Sequence, residues 1–423
     1  MSEAVVIAAR RTPIGNAGGV LRALTADELA APVLRALLAD AGAAGRPAPP
    51  SAPTPARAER RGPAGEPGPG LEVADVILGN VFGPGGNTAR VAALRAGLGF
   101  GVPGLTVDRQ CASGLAAIVV ACSLVRAGAG SAYLAGGTES ASTAPHRAWR
   151  TDPPTPYSRA PFAPADLGDP DMGPAADLVA AEAGISRDRQ DRFALRSHER
   201  AVAAQRAGRF ADEIVPLATT PSSDRAATDR AATDRAATDR GDAVTRDQRP
   251  RAGFTSARLA RFPPAFTPDG TATAANSCAV SDGAAAVMVV DEETRRRLGV
   301  PGLRLVASAT SGVDPSRLGL GAVPAMREVL KYGVPAVTEF TEAFAGQTLA
   351  CLDAAGLDER TASPDGGAIA LGHPWGASGA VLVVRLFTRL VRERRGGLGL
   401  TALSAGGGVG VAALWEAVGV DTA

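Results

Sequence analysis

Short apolar runs alternate along the chain with longer amphipathic stretches. The runs VVIAA (5–9), DVILGN (75–80) and LTVD (105–108) are rich in β-branched residues and read as buried strands. Residues 25–42 predict a helix: Thr25 caps it, Glu28 follows three residues later, and Gly42 stops it. Residues 186–208 follow the same grammar, with Ser186 as cap and Gly208 as stop. Strands alternating with helices predict an α/β fold in which helices cover the sheets. Two segments break the pattern and read as surface insertions. Residues 45–70 hold eight prolines and almost no large apolar side chain, too little to offset their ordering entropy. Residues 224–240 repeat the five-residue unit DRAAT, a period too short for a solenoid.

One stretch of the sequence echoes another. Residues 110–140 and 373–410 each carry Ala-Ser-Gly, then an apolar helix, a Gly-rich or charged turn, and a strand ending in Ala-Gly-Gly. The interval from Ala112 to Ala135 is 23 residues and that from Ala377 to Ala405 is 28; the turn at 392–397 absorbs the difference. One copy places Cys111 just before its Ala-Ser-Gly, and the other places His373 four residues before its own. Two such halves packed face to face would bring a thiol and an imidazole into one cleft.

Composition narrows the function. With 44 basic and 43 acidic residues the formal net charge is +1, so the chain lacks the basic stripe of a nucleic-acid binder. All but one of the basic residues are arginine, the exception being Lys331. No apolar run approaches the roughly 20 residues of a membrane helix, and MSEAVVIAARRTPIG lacks the apolar core of a secretory signal. Four cysteines are too few for a disulfide scaffold, and a reducing cytoplasmic setting is expected. Only His146, His198 and His373 are available as imidazoles, so no His-rich metal site is expected.

Cys111 follows a strand and precedes a helix. The helix dipole and unpaired N–H groups there predict stabilisation of a nucleophilic thiolate. Cys122, Cys278 and Cys351 read as structural thiols by default. His373 lies in GGAIALGHPWGASG, which predicts a strand, a tight histidine loop and a helix, a setting suited to proton transfer. His198, in an Arg/Glu-rich helix, reads as a solvated residue, and His146 sits near Pro145 where it could line a cleft. AGGGVG (405–410) is no dinucleotide fingerprint, because it lies near the C-terminus and leads straight into a strand. Its glycines suit exposure of backbone N–H groups to an oxyanion.

These motifs, taken in order with AARRTPIGNAGG (8–19), VILGNVFGPGGNTARVAALRAGL (76–98), DRQCASGLAAI (108–118), LAGGTESAS (134–142), ISRDRQDRFALRSHERAVAA (185–204), NSCAVSDGAAAV (276–287), TEAFAGQ (341–347) and SAGGGVGVA (404–412), resemble the thiolase family. The resemblance implies duplicated α/β halves in a five-layered arrangement with an inserted loop domain. The halves would be 1–141 completed by 255–300, and 301–423, with the loop domain at 142–254. It implies a thioester on Cys111 with His373 activating the thiol. One oxyanion hole would use His373 and the other the N–H groups of Cys111 and Gly406. Contacts to coenzyme A would come from the segments holding Met172, Ser277, Cys278 and Phe344. The substrate would be an acyl-CoA or acyl-carrier thioester, with no metal or redox cofactor, and the protein a homodimer or dimer of dimers.

The sequence also departs from that pattern. The family's second cysteine, which moves the proton on the substrate α-carbon, aligns with Ser404, a far weaker acid. The asparagine of Asn-Glu-Ala-Phe, which holds an oxyanion-hole water, becomes Thr341. Asn-Ala-Ser-Gly becomes Asn276-Ser277-Cys278-Ala279, and Asp171 stands in place of the histidine of His-Met-Gly. Two functions follow from the resemblance. One is a working thiolase, performing Claisen condensation or thiolysis of 3-ketoacyl-CoA. The alternative is a diverged acyltransferase or thioester hydrolase of specialised metabolism that forms no carbanion.

Overall fold

The computed structural model describes residues 2–42, 71–219 and 243–421; the proline-rich stretch 45–70 and the repeat 224–240 lie outside the described residues. The described residues hold twelve strands: β1 (Ala4–Arg11), β2 (Gly15–Asn16), β3 (Asp75–Gly79), β4 (Gly104–Val107), β5 (Ala132–Ser140), β6 (Arg147–Trp149), β7 (Thr155–Tyr157), β8 (Ser281–Asp291), β9 (Gly302–Gly312), β10 (Val337–Phe340), β11 (Leu398–Ala405) and β12 (Val409–Val418). Nine form one path in the order β10-β11-β12-β9-β1-β8-β5-β3-β4, with β2 added against β8; β6 and β7 make a separate hairpin.

The path is the same unit written twice. In the first half β3 pairs parallel with β5, β5 antiparallel with β8, and β8 antiparallel with β1. In the second half β10 pairs parallel with β11, β11 antiparallel with β12, and β12 antiparallel with β9. Only Val5 with Arg304 and Val6 with Leu303 join β1 to β9 across the halves. The three runs read as strands coincide with β1, β3 and β4, the second and third running one residue past their strands.

Helix termini follow the side chains that cap them. Thr25 and Glu28 form a capping box ahead of the helix Ala26–Asp40, and Ser186 Oγ accepts the Arg189 N–H ahead of Arg187–Arg206. Beyond these helices Gly42 and Gly208 take φ of 66° and 71°, left-handed conformations that suit glycine.

The apolar side chains sort into layers. Val5, Val76, Leu134 and Met288 face the helix Ala26–Asp40 on one outside. Leu400, Ala402 and Leu414 face the helices Ala322–Val329 and Ala345–Ala355 on the other. Between the sheet halves lie the two echoed helices, Ser113–Arg126 and Trp375–Phe387, packed among Val287, Leu305, Leu403 and Trp415. Helix, sheet, helix pair, sheet and helix make five layers. Between β5 and β8 the chain leaves the sheet and builds the helices Met172–Glu182 and Arg187–Arg206, which close a cluster of their own against Ala345–Ala355.

The two central helices meet backbone to backbone. A Cβ on Gly114 would lie 2.7 Å from the Gly376 carbonyl oxygen, and one on Gly79 2.6 Å from the Gly114 nitrogen. A Cβ on Gly379 would run into the backbone of Leu115. Gly114 and Gly379 are the third residues of the two Ala-Ser-Gly units, so the echo marks a contact that tolerates no side chain.

Two expectations are corrected. The segment before His373 is not a strand but a single helical turn, Ala368–Leu371. By the duplication, a counterpart of β4 would lie on the outer edge of β10, where among the described residues only the single bridge from Thr338 to Ala362 is found. His198 is 1% exposed rather than solvated. It follows Ala194 by four residues and precedes Ala201 by three, which places it on the buried face of its helix. There its Nδ1 accepts the Arg251 N–H at 3.3 Å and its ring meets Phe254 edge-on. Among the described residues no helix is long and apolar enough to cross a membrane.

Gly379→Ala is expected to lower stability by at least the ~1–3 kcal/mol typical of overpacking, because the new methyl meets backbone and not a movable side chain. Thermal unfolding of the variant checks this; an unchanged Tm would mean that the helices separate freely.

Candidate active site

The turn that presents Cys111 is held by short-range hydrogen bonds. Asp108 Oδ1 accepts the Gln110 N–H at 2.9 Å. Ser113 Oγ accepts the Arg109 N–H at 2.7 Å and donates to the Gln110 carbonyl at 2.6 Å. Gln110 itself sits in the left-handed region, φ 49°, a conformation a non-glycine residue keeps only where its surroundings fix it. Cys111 follows, half-buried, two residues before the helix Ser113–Arg126.

The thiol does not rest as a thiolate. Burial pushes Cys111 up to about 12, and the neighbouring Cys278 thiol adds to the rise. The N–H groups of Cys111 and Gly406 pull the other way, but desolvation outweighs them, so the thiolate expected from the helix N-terminus does not form at rest.

His373 is 3% exposed and fixed from three directions. Its N–H bonds the Ala279 carbonyl at 3.0 Å, and Ser281 Oγ lies 3.1 Å from the same nitrogen. Ser378 Oγ lies 2.6 Å from Nδ1. With Nδ1–H donating to that hydroxyl, Nε2 is left as a lone-pair base, and it is buried without a protein partner. Burial lowers the imidazole to about 4, so it is neutral at physiological pH.

Glu139 ties the halves together at this point. Its carboxylate accepts the N–H groups of Val81, Phe82 and Gly376 at 3.0–3.1 Å, and the Asn80 side chain. Gly376 belongs to the first turn of the His373 helix, so an acid from one half caps the helix of the other. Burial raises Glu139 to about 7 despite these donors.

The remaining expected residues fall into two groups. Gly406, Cys278, Ser277 and Phe344 converge on the cleft. Ser277 bridges to Phe344, and the Cys278 N–H bonds the Ala343 carbonyl at 2.9 Å. Phe344 meets Phe266 edge-on, and Phe266 packs on Gly173 beside Met172. Cys278 is half-buried and coupled to Cys111, unlike the fully buried Cys122 and Cys351. Ser404 is engaged elsewhere, and Thr341 faces a cavity. Ser404 Oγ accepts the Ala322 N–H at 3.0 Å and lies 3.9 Å from Cys351 Sγ. Thr341 is buried, its hydroxyl has no protein partner, and it lines a small cavity with Ser378. His146 is exposed between a short 3-10 turn and β6.

The geometry agrees with what comparison shows. The model of the thiolase N-terminal domain matches residues 69–293, and that of the thiolase C-terminal domain residues 301–417. The chain belongs to the thiolase family. Among its relatives are YhfS of Bacillus subtilis (strain 168), 39% identical over 98% of this chain and 99% of that protein, and VraB of Staphylococcus aureus (strain MRSA252), 36% identical over 98% and 99%. Both are provisionally named acetyl-CoA C-acetyltransferases. The crystal structure of the Bacillus anthracis acetyl-CoA acetyltransferase is similar with a TM-score of 0.81 and 32% identity, covering 99% of each chain.

In this thiolase-family chain, reasoning from sequence missed four residues that shape the cleft. Ser378 stands five residues after His373, within one turn of the helix that follows, a spacing that could have flagged it. Glu139 is the one acid in the otherwise small and polar LAGGTES. Arg249 donates to the carbonyls of Ile369 and Ser277 and lowers the Cys278 thiol against its burial. Phe162 packs on Gly406, with Arg159 over its ring, and nothing in its local sequence announces this.

Because the Cys111 thiol lies near 12, its alkylation by iodoacetamide should accelerate about tenfold per pH unit from pH 7 to 10, as the thiolate fraction grows. Site-resolved mass spectrometry checks this. A plateau near the ordinary thiol value of about 8.5 would show that the resting cleft stabilises the thiolate after all.

Proposed function

We propose that the protein transfers acyl groups from a coenzyme A or acyl-carrier thioester through a covalent thioester on Cys111. The observation that carries this reading is the approach of the two loops: Cys278, which acts on the Cys111 thiol, is followed directly by Ala279, whose carbonyl holds the His373 N–H, with the Gly406 N–H beside Cys111 and the His373 ring held at Nδ1 by Ser378. His373 takes the thiol proton as Sγ attacks the acyl carbonyl carbon. The N–H groups of Cys111 and Gly406 face the oxygen on which negative charge collects. The carbon–sulfur bond to the carrier then breaks, and the departing thiolate recovers the proton from His373. These steps draw on a thiol, an imidazole and backbone donors, and on no metal or redox group.

In the second half-reaction the acyl group passes to a carbon nucleophile in Claisen condensation, or to coenzyme A in thiolysis, as in an acetyl-CoA acetyltransferase. Condensation needs a base for the α-proton of the second acyl-CoA. The family's second cysteine is replaced here by Ser404, whose hydroxyl is occupied by the Ala322 N–H. A hydroxyl is a far weaker acid than a thiol, and with one lone pair of Ser404 given to that N–H this favours a second reading, a diverged acyltransferase or thioester hydrolase that forms no carbanion.

Incubation with acetyl-CoA should leave an acetyl adduct on Cys111, abolished in Cys111→Ala and slowed at least a hundredfold in His373→Ala, in line with the loss of a general base. An adduct on Cys278 or Cys351 would overturn the assignment. Exchange of the acetyl-CoA α-protons in deuterium oxide separates the two readings. Fast exchange by the wild type supports thiolase chemistry. Slow exchange that rises about tenfold or more in Ser404→Cys, with acylation unchanged, supports the diverged enzyme.

A further inference from the structure

Behind His373 lies a cavity of about 20 Å³, lined by Glu339, Thr341, Gly367, Gly372, Ser378 and Arg385 among others. Three buried polar atoms of its lining, Glu339 Oε1, Thr341 Oγ1 and Arg385 Nε, have no protein partner, and their residues are 1–3% exposed. The fourth polar group, Ser378, is the one that holds Nδ1 of His373. A space of this size exceeds the roughly 10–15 Å³ a water needs, and four polar groups satisfy its hydrogen bonds.

The charges around the cavity leave Glu339 without a cation of its own. Arg11 is bonded to Glu213 and Asp247, Arg385 to Glu213 and Asp365, and Arg389 to Asp365. Three buried arginines thus face three carboxylates, and Glu339 is a fourth acid beside them. Arg385, Arg389, Asp365, Glu213 and Arg200 all act on Glu339 through space, but no ion pair forms with it. Burial pushes Glu339 up to about 8, and the mixed charges around it, with Arg385 and Arg389 pulling down against Asp365 and Glu213, do not offset that rise.

We propose that this cavity is a water site linking Glu339 through Ser378 to Nδ1 of His373, which makes Glu339 a positioning residue that sets the tautomer and basicity of the ring. Below pH 8 the carboxyl is neutral and can donate through the water. As it ionises, the new negative charge strengthens His373 as a proton acceptor. The consequence for rate rests on the reading of His373 as the base; the consequence for the ring itself does not.

The chain has only three histidines, so selective ¹⁵N-histidine labelling resolves the ring nitrogens of His373. In the free wild-type protein these signals are expected to move with a midpoint near pH 8 while the ring stays neutral. In Glu339→Gln that transition should vanish, and acylation of Cys111 should match the wild type at pH 6.5 and fall three- to tenfold below it at pH 9. Wild-type His373 signals that stay constant from pH 6.5 to 9.5 would overturn the proposal without any variant being needed, as would an unchanged transition in Glu339→Gln. A ring titration as expected, with acylation absent at every pH, would count against the catalytic reading of His373 and leave the link to Glu339 standing.

Discussion

The candidate active site is drawn together because two helices touch without side chains between them. Gly114 and Gly379 let the backbones of Ser113–Arg126 and Trp375–Phe387 approach to contact, and Gly79 and Gly137 carry that approach into the sheet. Glycine within a helix costs about 1 kcal/mol relative to alanine, so each helix is locally weaker for the sake of the pair. The return is positional. Cys111 and His373 precede these helices by a few residues, and the common contact fixes both loops at once. Glu139 locks the same place electrostatically, reaching from β5 to the first turn of the opposite helix.

Close packing also decides the protonation states. With the Cys111 thiol driven up to about 12 and the His373 imidazole driven down to about 4, each group is neutral at rest. Charge therefore develops only when an acyl carbonyl arrives to share it. The N–H groups of Cys111 and Gly406 do little for the resting thiol yet face the cleft, where an oxyanion would be the stronger acceptor. On the mechanism proposed above, such a site would spend its donors on the transition state and not on a stored thiolate.

Much of this was legible in the sequence, for local reasons. The strands within β1, β3 and β4 announced themselves by β-branched runs, and the helices after Thr25 and Ser186 by their caps. Cys111, His373 and Gly406 stood out because glycines and small residues surround them. What escaped depended on long-range packing. His198 carries the neighbours of a surface residue, and only the stripe of Ala194 and Ala201 puts it inside. The turn before His373 looked like a strand because Ala368–Leu371 is only four residues long and apolar, too short to show a helical period. The raised thiol of Cys111 was missed because helix-dipole reasoning counts donors and not the water removed. Ser404 and Thr341 could be placed by resemblance alone; which way their hydroxyls turn is a property of the second half's packing.

The duplication explains one more feature, the serine in each Ala-Ser-Gly. Ser113 and Ser378 are equivalent in the two halves, and each lies in the first turns of its helix. Ser113 turns back onto Arg109 and Gln110 and so holds the turn that lifts Cys111. Ser378 turns back onto Nδ1 of His373 and so fixes the ring whose Nε2 is free. The two halves thus use one device, a serine hydroxyl folded back over the start of its own helix, to orient two different reactive groups. The glycine that follows each serine brings the helices together, and the serine aims what precedes them. Proximity and orientation, the two things a thiol–imidazole pair requires, are encoded in adjacent positions of the same three-residue unit.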